Sequence, residues 1–226
     1  MCDQAFWQPL PASQPALTFQ VVDYGDADTL STMAEAVLSF APLRFALAGH
    51  SMGGRVALEV VRLAPSRVQK LKLMNTGYLL RATDTAGDAE RAGRTALVNI
   101  AKKDGVRAMC AQWVKGMVHP DRLADAALNE TITAMFARKS AERFAHQQHA
   151  LLTRADARPV LSSLSMPCLL LCGRQDSWPA CSHAGAGTTC AIERDRKCRS
   201  HGPDGATRGH RSNHQAFSAL VAGVLC

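Results

Sequence analysis

The sequence predicts an α/β fold, a mostly parallel sheet wrapped by helices with a helical insertion in mid-chain. Three observations carry this. The apolar run at residues 45–47 passes through Gly49-His50-Ser51-Met52-Gly53 into a helix-forming run at 55–63, which reads as strand, tight turn and helix. A second short apolar run lies within residues 166–176, bounded by Pro167 and Gly173, and fits a buried parallel strand. Between the two, residues 81–155 carry helical periodicity and no strand signal.

Taken in order, residues 17–24 alternate into a strand, and 28–40 form a helix with Asp28 placed to cap it. Residues 43–49 are the strand before the turn, 52–63 the helix after it, and 68–75 the next strand. The insertion reads as four helices at 86–102, 106–117, 120–138 and 141–154. His146 and His149 fall on a polar stretch of the last one and are expected at the surface.

Composition narrows the function classes. The chain has 226 residues, enough for a single α/β core. Its net charge of +7 raises nucleic acid and membrane surfaces as partners, but Lys and Arg are scattered and form no basic run interleaved with aromatics. Neither partner is expected. The first residues lack a basic stretch followed by a long apolar one, and no apolar run approaches membrane-spanning length. A cytoplasmic protein is the expectation, with its eight cysteines as reduced thiols. Cys168 and Cys172 share one face of their strand as small buried hydrophobes.

The turn at Ser51 carries the chemistry. Glycines two before and two after the serine let the backbone reverse sharply and force the serine into a strained conformation. That exposes Oγ above the sheet, beside a helix N-terminus where the Met52 N–H can meet a developing oxyanion. His50 is adjacent in sequence, so its side chain points away from that of Ser51 and reads as packing.

On these residues the chain resembles the α/β-hydrolases, in particular small cap-bearing esterases with a G-H-S-M-G-G nucleophile elbow. The stretch Gly173-Arg174-Gln175-Asp176 resembles the strand end that carries the family's triad acid, which assigns that role to Asp176. The resemblance implies an α/β-hydrolase fold with a helical cap over the site, walled by residues such as Trp113, Met109, Met117, Met135 and Phe136. It implies a serine hydrolase without cofactor or metal, acting on small carboxylic esters or lactones through a Ser-His-Asp triad.

Both ends depart from the family pattern. Met1-Cys2-Asp3 with Phe6-Trp7-Gln8-Pro9 looks like the end of a P-G-L-L-C-D segment, which normally closes a strand and supplies the second oxyanion donor. The strand itself is missing, which leaves the nucleophile strand with an unpaired edge and suggests N-terminal truncation. From about residue 179 the composition changes, and 185–190 and 193–200 show no helical or strand period. Half of the cysteines and half of the histidines lie there.

The codons allowed for residues 187–210, read one nucleotide on, permit VPHAQLSVIENAGHMAPMERPEAI. That contains the G-H-x-x-P-x-E-x-P-E pattern of the family's catalytic histidine, so a frameshift near residues 178–182 is expected. As the chain stands, His201 lies one position from the expected histidine, ahead of His210 and His214 as a candidate base. The resulting division is hydrolase core at 1–80 and 156–178, cap at 81–155, and an aberrant tail at 179–226. Activity is expected to be impaired. Two other readings remain: a zinc site from Cys190, Cys198, His183 and His201, whose spacing fits no familiar pattern, and a binding protein on a hydrolase fold.

Overall fold

In the computed structural model, which describes residues 1–7, 18–173, 190–195 and 223–225, six parallel strands form one sheet in the order β1-β6-β2-β3-β4-β5. The strands are β1 (Phe19–Val21), β2 (Phe45–His50), β3 (Val68–Met74), β4 (Cys168–Gly173), β5 (Cys190–Asp195) and β6 (Gly223–Leu225). Alternate residues of β2 are buried, with Phe45 and Leu47 almost fully enclosed. They pack with Val56, Val60 and Val61 of the helix that follows and with Leu71 and Leu73 of β3.

The helices follow amphipathic runs. After α1 (Gln4–Trp7), α2 (Leu30–Phe40) buries Met33, Ala34 and Val37 and packs against α3 (Met52–Leu63). The cap of α2 is Thr29, not Asp28. Its hydroxyl accepts from Thr32 N–H at 3.1 Å, and Thr32 Oγ1 accepts from Thr29 N–H in return, so two orphan donors are satisfied together.

The insertion holds α4 (Thr85–Asp104), α5 (Val106–Met117), α6 (Ala126–Ala137) and α7 (Ala141–Leu152); α8 (Arg158–Ser162) then leads back to the sheet. The helix expected over 120–138 is two elements, because a 3₁₀ turn at Pro120–Arg122 ends before Asp125 caps α6. These helices have their own apolar cluster, which includes Met109, Cys110, Ile132, Met135, Phe136 and Phe144. Arginine joins cap to core: Arg154 donates to Glu90 of α4 at 2.7 and 2.8 Å and to the Leu79 carbonyl at 3.1 Å.

Three further expectations change. The slot between β1 and β2, read as empty, is filled by Gly223–Leu225, which pairs in parallel with both neighbours. A stretch read as having no strand period contains the start of β5, which pairs with β4 from Cys168↔Cys190 to Gly173↔Asp195. In both cases an open strand edge supplies the pairing, and that outweighs weak side-chain periodicity. Cys172, expected as a reduced thiol, is disulfide-bonded. Among the described residues no helix is long and apolar enough to cross a membrane.

Candidate active site

Ser51 stands at the carboxyl edge of the sheet, where β2 ends and α3 begins. Its φ is 52° and its ψ −117°, a conformation that L-residues rarely adopt. The strain has visible causes. Ser51 N–H donates to the Met74 carbonyl at 2.9 Å, so the residue is still tied to β3 when the chain must turn. Its own carbonyl accepts from Gly54 N–H at 3.1 Å and from the buried Thr76 hydroxyl at 2.6 Å.

The flanking glycines make the turn possible. A Cβ on Gly49 would lie 2.3 Å from the Gly53 carbonyl oxygen, and one on Gly54 would lie 2.6 Å from the Thr76 side chain. The end of β2 is therefore in direct backbone contact with the first turn of α3, which itself packs on the Thr76 side chain. Met52 is the first residue of α3, and its N–H is one of the first-turn donors with no acceptor inside the helix.

A second left-handed residue steadies the neighbouring strand end. Asn75 has φ 45°, donates its N–H to the Leu171 carbonyl and accepts from Gly173 N–H through Oδ1, both at 2.9 Å. This side chain pins the last residue of β4, immediately before the segment with Asp176. Asp176 and His201 both lie outside the described residues, as do His183, Cys198, His210 and His214. The described residues contain no cluster of His, Cys, Asp or Glu suited to a metal.

Ser51 is exposed at the wall of a cavity of about 160 Å³ between the sheet edge and the cap. Of the cap residues expected to line it, Trp113, Met117 and Phe136 do. Met109 and Met135 are buried in the cap's own core instead. The N-terminal segment contributes Met1, Cys2, Phe6 and Trp7, with the Phe6 ring 4.7 Å from that of His50. His149 is exposed as expected, but His146 is half-buried, with Nδ1 enclosed.

The sequence reading missed the polar wall. Arg55, Arg94 and Gln148 all line the cavity. The available signal was Arg55 itself, a charged residue within a helix whose neighbours Gly54, Val56, Ala57 and Leu58 are all buried. Arg55 is only 8% exposed. Burial, and then the Arg154 charge beside it, push its guanidinium down to about 9.

Solved structures share this architecture. The esterase of Thermogutta terrifontis superposes with a TM-score of 0.68 at 19% identity, covering 86% of this chain and 78% of that one. This chain has an α/β-hydrolase fold. Among curated proteins it is 26% identical over 219 residues to 2-succinyl-6-hydroxy-2,4-cyclohexadiene-1-carboxylate synthase of Klebsiella pneumoniae, covering 96% of this chain and 81% of that protein. It is 30% identical over 155 residues to the pimeloyl-[acyl-carrier protein] methyl ester esterase of Nitrosomonas europaea, covering 66% of this chain and 60% of that protein. No protein-family model matches it.

Proposed function

We propose that this α/β-hydrolase-fold chain is a serine hydrolase of small carboxylic esters or lactones. The observation that carries the reading is Ser51, held at φ 52° on a strand-to-helix turn and exposed to a capped cavity. In the proposed reaction Ser51 Oγ attacks the ester carbonyl carbon while a histidine takes the hydroxyl proton. The Met52 N–H donates to the oxyanion. The carbonyl then re-forms, the C–O bond to the alcohol breaks, and the alcohol leaves with the proton from the histidine. Water attacks the acyl-enzyme by the same route and releases the acid.

The histidine proposed for this role is His201, with Asp176 orienting it. Turnover is expected to be weak, because nothing in the Cys198–Gly202 sequence suits a strand end that would hold an imidazole, and small misplacements cost on the order of 10²-fold. One curated relative is named as a methyl ester esterase, which supports the substrate class, and no cofactor enters the scheme.

The test is hydrolysis of p-nitrophenyl acetate by the purified chain and by Ser51→Ala. Turnover above buffer that disappears in Ser51→Ala supports the hydrolase. The departure of the tail from the family pattern favours one alternative, a hydrolase-fold protein that binds without turnover. Saturable ester binding with no Ser51-dependent hydrolysis would establish that alternative.

A further inference from the structure

The cavity wall carries a cluster of positive charge. Three guanidinium groups, those of Arg55, Arg94 and Arg154, gather around one carboxylate, Glu90. Glu90 is already engaged. It accepts two hydrogen bonds from Arg154 at 2.7 and 2.8 Å and one from Arg94 Nε at 2.9 Å. Arg94 also donates to Gln148 Oε1 at 2.7 Å.

Among the described residues Arg55 makes no hydrogen bond or ion pair with a carboxylate, and feels Glu90 only through space. Its one hydrogen bond among the described residues runs from Nη1 to the Leu79 carbonyl at 2.9 Å, and it shares that oxygen with Arg154. A guanidinium has five N–H donors, and a buried charge without a counter-ion is strongly disfavoured. Depression of its protonation to about 9 expresses that cost and still leaves it charged at neutral pH.

The arrangement is directional. Arg55, Arg94 and Gln148 line the cavity, whereas Glu90 and Arg154 are not among its lining residues. Among the described residues, the other charged side chains at the cavity, Asp23 and Lys139, are paired with each other, and Asp23 also meets Arg143. Arg55 lies four residues after Ser51, near the start of α3, and both residues line the cavity.

We infer that the cavity binds a carboxylate-bearing ester, with Arg55 and Arg94 holding the carboxylate and the ester carbonyl at Ser51. The inference rests on the proposed hydrolase site and narrows its substrates to monoesters of short dicarboxylic acids. The carboxylate supplies a directly paired counter-ion for Arg55, and its distance from the scissile carbonyl is set by the separation of Ser51 and Arg55 along the cavity wall. A neutral ester of the same shape leaves the Arg55 charge unmatched and is rejected.

Binding tests this without requiring turnover, so its failure is separable from failure of the hydrolase reading. In Ser51→Ala protein, monomethyl succinate and dimethyl succinate are compared by titration calorimetry. The monoanion is expected to bind at least about tenfold more tightly, the worth of one charge-assisted hydrogen bond. Arg55→Gln, which keeps a donor for Leu79, should abolish that preference, Arg55→Lys should restore part of it, and Arg94→Gln should weaken it. If Arg55 only tied α3 to the Leu79 loop, Arg55→Gln would lower the melting temperature and leave the preference intact. That result, equal affinities for the two esters, or no binding of monomethyl succinate at millimolar concentration would overturn the inference.

Discussion

Replacing Ser51 by glycine should leave the protein more stable than replacing it by alanine. Both variants lose the hydroxyl, so the comparison isolates the backbone. At φ 52° and ψ −117° a residue with a Cβ carries about 1–3 kcal/mol of strain, which glycine does not. Glycine gives back about 0.5–1 kcal/mol through the greater freedom of its unfolded chain. The net is about 1 kcal/mol in favour of Ser51→Gly. Urea titrations of the two variants read the difference as a higher midpoint with an unchanged slope. The sign is diagnostic, because at ordinary positions glycine is the less stable of the two. An alanine variant as stable as the glycine variant, or more so, would refute the claim that the turn is strained.

Other outcomes follow from the same geometry. Gly49→Ala places a Cβ 2.3 Å from the Gly53 carbonyl oxygen, where the neighbour is backbone and cannot move aside, so a loss of about 3 kcal/mol is expected in chemical denaturation. Thr76→Val removes the 2.6 Å hydrogen bond to the Ser51 carbonyl while keeping the shape; it should cost about 1 kcal/mol and slow acylation of Ser51. Burial pushes the Glu90 carboxyl up, but hydrogen bonds from Arg154 and Arg94 outweigh it and hold the group below its usual range. Its stabilisation is therefore complete above the ordinary glutamate range and is lost as the pH falls through the lowered value. Glu90→Gln should destabilise by about 2 kcal/mol at neutral pH, between the values for exposed and buried pairs, and the gap to wild type should close as the pH falls below the ordinary glutamate range.

Some of this was legible in the residues because local chemistry dictates it. Two glycines around a serine between an apolar run and a helical one have few structural solutions, and α3 and α5 appear at Met52–Leu63 and Val106–Met117 with the bounds expected. Adjacent cap formers are harder to separate: Asp28 and Thr29 both suit the role, and the reciprocal bond with Thr32 decides for Thr29. Strands β5 and β6 could not be read from periodicity, since a three-residue strand such as Gly223–Leu225 is defined by its partners. The arginine wall was hidden because Arg55, Glu90, Arg94, Gln148 and Arg154 come from three separated segments. Only folding shows that three cations share one carboxylate.

The central claim is that Ser51 is an activated nucleophile, and covalent labelling addresses it most directly. After reaction with an alkyl fluorophosphonate and trypsin digestion, residues 45–55 form one peptide in which Ser51 is the only hydroxyl residue. The account predicts a phosphonyl adduct on Ser51 of that peptide and none in Thr76-intact protein carrying Ser51→Ala. A peptide that stays unmodified while the protein remains folded, or an adduct on another residue that survives Ser51→Ala, would contradict it.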